Sequence, residues 1–266
     1  MTRSMTSRFR AAVIGHTGHG NYGHHIDASF AEIPAVELVA VADPDDVGRQ
    51  AAQDRTGAPR SYVDYREMLE QERPNLALVC PRWCDQREAM ITACVQAGVQ
   101  GIYCEKPLAP TLVAADAIQA ACGAAGVRLI VAHRSRENPY MQWLRALLAD
   151  GALGKVEAIR AHGKCDHRAG GLDLAVLGPH LFDQMRYLVG APLWVSAYVT
   201  QAGRPIERAD ATDGPEGVGS IAGDRISATF AFGDGVLGYY ETYRGDRAGE
   251  HWYGFEVHCT RGIVAV

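Results

Sequence analysis

The run Val36-Glu37-Leu38-Val39-Ala40-Val41-Ala42 constrains this chain more than any other feature. It is almost continuously apolar, the pattern of a strand buried on both faces in a parallel sheet. Parallel strands need crossover connections, and the flanking sequence supplies them. Arg10–Ile14 reads as a strand that ends at Gly15, and a helix is expected over about Gly23–Glu32. Helical periodicity follows at Asp46–Arg55 and Tyr65–Gln71, then a strand at Asn75–Val79 and an Ala-rich helix at Gln86–Ala97 closed by Gly98. Ile102–Cys104 is the next strand, Thr111–Ala125 a helix, and Arg128–Ala132 a further strand. The alternation predicts right-handed βαβ units, so residues 8–132 read as an α/β Rossmann domain with a doubly wound parallel sheet.

After Ala132 the rhythm changes. Pro139–Leu148 and Pro179–Leu188 read as helices, and Lys155–His162 as a strand. Strand-like segments then recur at Trp194–Thr200, Arg225–Phe232, Val236–Tyr243 and Tyr253–Cys259. Gly233-Asp234-Gly235 is a hairpin signal, and Gln201–Gly223 reads as a long polar loop. Residues 133–266 are therefore expected to form an α+β domain.

Composition excludes several functions. With 266 residues, 47% of them hydrophobic, the chain can build two modest cores. A net charge of −5, with Lys and Arg scattered, gives no basic field for nucleic acid. No apolar run approaches the ~20 residues needed to cross a bilayer. Met1–Arg10 lacks the apolar centre of a signal peptide. Seven cysteines, an odd number without tight paired spacing, suit a reducing compartment. The expectation is a soluble, cytoplasmic protein with neither nucleic-acid nor membrane partners.

Glycines crowd the first strand-to-helix turn: Gly15, Gly18, Gly20 and Gly23. Such a turn needs glycines for its bend and for close approach to a pyrophosphate, with the next helix N-terminus supplying N–H groups. Gly18-His19-Gly20-Asn21-Tyr22-Gly23 matches G-x-G-x-x-G but starts several residues after the strand, so the loop reads as slightly expanded. Gly15, Thr17, Gly18, Gly20, Asn21 and Tyr22 are the candidate cofactor contacts there; a merely flexible turn is the plainer alternative. Asp43 ends the second strand, 20 residues after Gly23, where an acid can accept hydrogen bonds from the adenosine ribose hydroxyls. Pro44, Asp45 and Asp46 follow without an immediate arginine for a 2′-phosphate, which favours NAD over NADP. A strand-end turn acid is the plainer reading of Asp43.

Cys104-Glu105-Lys106-Pro107 follows the strand Ile102–Cys104. A lysine fixed at the end of a parallel strand, beside a nicotinamide, could exchange a proton with a substrate alcohol if its pKa were lowered from ~10.4. By itself the tetrapeptide usually marks an exposed turn. In the second half, His162, Cys165, Asp166 and His167 form a polar cluster without a familiar metal-ligand spacing, so a substrate-lining loop is expected and no metal. Arg134 is placed to bind hydroxyl or carboxylate oxygens, or to pair with Glu137. Trp83 and Tyr22 are candidates to cover the cofactor, or domain-interface packing.

In this order, several elements together resemble the glucose-fructose oxidoreductase, inositol dehydrogenase and MocA family. They are the glycine loop, Val39-Ala40-Val41-Ala42-Asp43, Tyr65-Arg66-Glu67-Met68-Leu69, Ala97-Gly98, Glu105-Lys106-Pro107-Leu108, and Gly170-Gly171 followed by His180 and Asp183. The resemblance implies a Rossmann domain followed by a mostly antiparallel open sheet, with substrate at the domain junction. It implies hydride transfer between NAD and a sugar, cyclitol or related polyol, in a homodimer or homotetramer built on the sheet. Lys106 matches the lysine that contacts substrate and cofactor, Glu105 its positioning partner, Pro81 a proline packed against the cofactor, and His180 a histidine facing the reacting hydroxyl; a helix-start histidine satisfied by backbone is the alternative for His180. Arg134 falls where the family often contacts nicotinamide or substrate, so it is a candidate cofactor contact as well, and with Asp166 and Asp173 it joins Lys106 and His180 as candidate substrate contacts.

Two departures stand out. The family's Asp four residues before the histidine is Val176 here, and Asp173 is its candidate replacement if the segment is one helix that puts both residues on a similar face. The chain also stops at Val266, where the family usually continues, which reads as a truncation or a narrower sheet. A glycoside hydrolase that uses NAD transiently, and a non-catalytic NAD-binding sensor, are the alternatives on this scaffold.

Overall fold

A computed structural model of the chain describes residues 9–244 and 253–266, so most of the Met1–Arg10 leader lies outside the described residues. The chain divides into two compact units between Ala132 and His133, with Glu216–Gly219 grouping with the first. Among the described residues, no helix is long and apolar enough to cross a membrane.

The first unit holds strands β1 (Phe9–Ile14), β2 (Val36–Ala42), β3 (Arg60–Tyr62), β4 (Leu76–Val79), β5 (Gly101–Cys104) and β6 (Arg128–Val131). All pair in parallel, in the order β3-β2-β1-β4-β5-β6. This is the doubly wound dinucleotide-binding order, with its switch point between β1 and β4. Alternate residues of β1 enter two different cores: Ala12 and Ile14 one, Ala11 and Val13 the other. The apolar run of β2 is also shared between them, Val39, Ala40 and Ala42 in the first and Leu38 and Val41 in the second, as a strand covered on both faces requires.

Helices α1 (Asp46–Thr56), α2 (Tyr65–Glu72), α3 (Arg87–Gln96) and α4 (Leu112–Ala125) make the crossovers. Their starts follow from local chemistry. Side chains of Asp45, Asp64 and Thr111 accept from Gly48, Arg66 and Ala114 amides, and left-handed Gly57 and Gly126 end α1 and α4. The helix expected over 23–32 is not there; the segment is a chain of turns around one short 3-10 turn, Ile26–Ala28. Left-handed Gly23 and His25, at φ 60° and 58°, interrupt it. The short β3 carries too few residues to show a periodicity.

Glu72, at the end of α2, ties three elements together. Its carboxylate accepts from the Arg60 guanidinium on β3, from the Tyr62 hydroxyl at 2.6 Å and from Arg10 on β1 at 3.0 Å. Burial alone would raise its pKa, but Arg60, Tyr62 and Arg10 outweigh it and hold the carboxyl below its ordinary value.

Among the described residues of the second unit, α5 (Pro139–Ala149), α6 (Gly171–Val176) and α7 (Gly178–Val189) accompany nine strands. These are β7 (Val156–His162), β8 (Trp194–Gln201), β9 (Arg204–Pro205), β10 (Thr212–Asp213), β11 (Ser220–Ile221), β12 (Arg225–Ala231), β13 (Leu237–Tyr243), β14 (Gly254–Cys259) and β15 (Gly262–Ala265). Seven form an open sheet in the order β15-β14-β7-β13-β12-β8-β9, antiparallel except where β13 meets β7. β10 and β11 make a separate ribbon, so the segment Gln201–Gly223 is partly structured rather than one polar loop. The β12–β13 hairpin turns at Asp234 and Gly235, both left-handed. Met141 and Leu144 of α5 and Leu181 and Met185 of α7 pack on Ile159, Ile226, Tyr240 and Val257 of the sheet. Trp194, Val195 and Tyr198 of β8 are left exposed.

Replacing Glu72 with alanine should cost about 1 kcal/mol in urea unfolding, because Arg10 and Arg60, each about half exposed, and Tyr62 lose one buried charged acceptor shared by three elements. A folded-state pKa below the unfolded value means that this contribution is present above the ordinary carboxylate range and lost as pH falls through the folded pKa. The difference between wild type and Glu72→Ala should therefore shrink in acid.

Candidate active site

β5 ends at Cys104, and the next two residues stay inside: Glu105 is 1% exposed and Lys106 is 3%. The reason is a buried guanidinium. Arg87, at the start of α3, donates to the Glu105 carbonyl, to the Pro81 carbonyl at 2.6 Å and more weakly to the Trp83 carbonyl at 3.4 Å. One side chain thus fastens the Lys106 segment to the loop that follows β4. Burial pushes the Cys104 thiol up to about 11 in spite of Arg87, which leaves it a core thiol rather than a nucleophile. The Lys106–Pro107 peptide is cis.

Glu105 faces the glycine loop. Its Oε1 accepts the His24 amide at 2.9 Å and meets the His24 imidazole, while Oε2 accepts the Lys106 amide at 2.8 Å. Burial would raise this carboxyl, but the bonds from His24 and Lys106 prevail and hold it below its ordinary value. Two glycines allow the loop to lie this close. A Cβ on Gly20 would stand 2.5 Å from the Trp83 amide nitrogen, and one on Gly23 would stand 2.4 Å from Glu105 Cγ.

The loop itself is an expanded turn. His16 and Asn21 pair across it, and the Asn21 side chain accepts the Gly18 amide at 2.9 Å near its exposed tip. The His19 ring lies 4.2 Å from that of Trp83 and its Nε2 is 2.9 Å from both Asp85 oxygens. Trp83 therefore packs on the loop, whereas Tyr22 is buried in the core with its ring against Gly15. Thr17 meets Asp43, which donates nothing and accepts the Thr17 amide and hydroxyl. Arg49 of α1 donates to the Asp43 carbonyl at 2.8 Å, so an arginine does stand at this strand end.

In the second unit, His180 lies in the first turn of α7 and its ring meets that of His133 edge-on at 6.4 Å. The single helix that would align Asp173 with His180 is absent: α6 stops at Val176, and α7 restarts at Gly178 with Pro179 in its first turn. Asp173 is fully buried on α6, and its Oδ2 accepts the Thr242 hydroxyl at 2.5 Å. Burial raises its pKa, only partly opposed by Thr242. Asp166 is held by Arg168, whose guanidinium bonds put its carboxyl well below the usual range. Arg134 is exposed on a 3-10 turn, and the neighbouring Arg136 is the one held by a carboxylate, Asp183, at 2.6–3.0 Å. His162 pairs with Glu241, and burial lowers its pKa.

Sequence reasoning missed Arg87 and Arg49. Arg87 had a signal: with Met90, Ile91 and Cys94 it completes the buried stripe of α3. Arg49 had none, since its contact joins segments by tertiary approach. Of His24 and His25, expected on the first helix with at most one facing the site, His24 is the one that meets Glu105, from a turn rather than a helix.

Residues 9–133 match the oxidoreductase family with an NAD-binding Rossmann fold, and residues 141–265 match the GFO/IDH/MocA C-terminal domain. The chain belongs to this family of oxidoreductases. Among its relatives, a D-apiose dehydrogenase of Paraburkholderia graminis is 34% identical over 153 residues, 58% of this chain and 40% of the relative. A levoglucosan dehydrogenase of Pseudarthrobacter phenanthrenivorans is 25% identical over 257 residues, 87% of this chain and 65% of the relative. The chain thus spans from two-fifths to just under two-thirds of the length of these curated relatives. A solved levoglucosan dehydrogenase, in complex with NADH and levoglucosan, shares the fold at TM-score 0.75 and 21% identity, covering 97% of this chain and 73% of that one.

The first unit can be tested against the family's NAD. Gly18 and Gly20 at the turn, Pro81, and the buried Glu105-Lys106 segment suit the pyrophosphate and nicotinamide ends of a dinucleotide lying across the switch point. The short turn at Ile26–Ala28 offers no helix N-terminus to the pyrophosphate, which leaves that role to the loop.

Arg87→Met should cost about 2–4 kcal/mol in urea unfolding, since two buried carbonyls lose a charged donor. Arg87→Lys should recover little of it, because an ammonium cannot span both carbonyls as the guanidinium fork does.

Proposed function

We propose that this chain is an NAD-dependent oxidoreductase that moves hydride between the nicotinamide and a secondary alcohol carbon of a sugar, cyclitol or related polyol. The observation that carries this reading is Lys106, buried at the C-terminal end of β5 with its backbone fixed by Glu105 and Arg87. Bound NAD supplies the hydride acceptor. Lys106 then takes the proton from the substrate hydroxyl as the carbinol hydride leaves, and returns it in the reverse direction. His180 is the residue of the second unit proposed to hold the reacting hydroxyl, with exposed Arg134 as a further substrate contact. Asp173, fully buried on Thr242, and Asp166, held by Arg168, would shape the surroundings rather than touch the substrate.

The relatives named above act on sugars by their names, which supports that substrate class; the glycoside hydrolase and sensor readings draw no support from them. A cytoplasmic setting accords with seven cysteines that are all free thiols. A homodimer or homotetramer through the second unit's sheet accords with the exposed Trp194, Val195 and Tyr198 of β8.

Purified protein with NAD and a panel of inositols, aldoses, apiose and levoglucosan should form NADH, followed at 340 nm. Lys106→Ala should lose at least about 100-fold in rate while remaining folded. Turnover unaffected by that substitution would remove Lys106 from the chemistry, and bound NAD without turnover on any alcohol would count against the dehydrogenase. In light scattering, Tyr198→Glu should reduce the assembled mass if the sheet carries the interface.

A further inference from the structure

A carboxylate that reads ribose hydroxyls must keep acceptor positions open to the ligand. Asp43 keeps little room for one. A carboxylate offers about four lone-pair directions. At Asp43 three donors from its own chain take most of them: the Asp45 amide at 2.9 Å on Oδ1, the Thr17 hydroxyl at 2.8 Å on Oδ2, and the Thr17 amide, shared between Oδ1 at 3.1 Å and Oδ2 at 3.0 Å. The residue is 1% exposed.

The surroundings are fitted to this contact. A Cβ on Gly48, in the first turn of α1, would stand 1.8 Å from Thr17 Oγ1, so the glycine makes the seat for Thr17 at the expense of helix propensity. Asp45 accepts the Gly48 amide at 2.7 Å, and Arg49 donates to the Asp43 carbonyl at 2.8 Å. On the other side, burial and then the neighbouring Asp43 carboxylate keep the Tyr22 phenol far above its ordinary pKa, and so neutral. Thr17, Asp43 and Gly48 therefore behave as one clamp that closes the expanded loop onto the end of β2.

Resting on the cofactor reading above, we infer that Asp43 is a positioning residue: through Thr17 it holds the glycine loop in place, and it neither reads the ribose hydroxyls nor sets the choice between NAD and NADP.

The test measures dissociation constants for NAD and NADP, and melting of the cofactor-free protein, in wild type, Thr17→Val, Thr17→Ser, Gly48→Ala and Asp43→Asn. Thr17→Val, Gly48→Ala and Asp43→Asn should each weaken both dinucleotides about tenfold and in parallel, because each removes a bond to a charged group that orders the loop. The NAD-to-NADP ratio should stay within about twofold of wild type. Thr17→Ser, which keeps the hydroxyl, should restore wild-type binding. If Asp43→Asn weakens NAD about tenfold more than NADP while Thr17→Val changes neither, the inference is overturned. In the cofactor-free protein, Thr17→Val and Asp43→Asn should be strongly non-additive in stability. Additive effects overturn the clamp whatever the protein binds, and a wild type that binds neither dinucleotide counts against the cofactor reading alone.

Discussion

The Arg87 guanidinium is the contact on which the first unit's site depends. A fully buried cation is costly unless its donors are met. Here the two terminal nitrogens are met by carbonyls of Glu105, Pro81 and Trp83 rather than by a carboxylate, while Nε has no hydrogen-bond partner among the described residues. Those carbonyls belong to segments that follow neighbouring strands β4 and β5, on either side of one register in the parallel sheet. Fixing them fixes where Lys106 leaves the strand. A rigid scaffold with a catalytic group at a strand end is how doubly wound folds carry chemistry.

From that anchor the order spreads outward. Glu105, held from behind by Arg87, reaches forward to the His24 amide and imidazole and so ties the glycine loop to β5. Gly20 and Gly23 permit the approach, and Trp83 packs at a tilt against His19 beside them. Thr17 and Asp43 close the other edge of the loop. The loop is therefore held at both edges by buried carboxylates, which does the orienting work that a long helix would otherwise share.

The sequence carried the parallel sheet well, because strands buried on both faces leave unbroken apolar runs such as Val36–Ala42, and capping residues such as Asp45, Asp64 and Thr111 mark where helices begin. It carried less of the site. Left-handed His25 breaks the expected helix at 23–32, and no residue type announces a non-glycine in that conformation. Pro179 splits α6 from α7, so spacing along one helix could not relate Asp173 to His180. Asp43 is legible as an acid after β2, but its engagement by Thr17 depends on the expanded loop after β1 folding back and on Gly48 in the first turn of α1. Arg87 was readable in principle, in phase with Met90, Ile91 and Cys94, and was masked by the polar residues around it.

The most direct test of this account is the affinity for NADH, followed by its fluorescence, of wild type and Arg87→Met well below the melting point of either. If Arg87 sets the position of the Glu105–Lys106 segment and the Pro81 loop together, the folded variant should bind NADH at least about tenfold more weakly. Unchanged affinity in a folded Arg87→Met protein, or a wild type that binds no NADH, would contradict it.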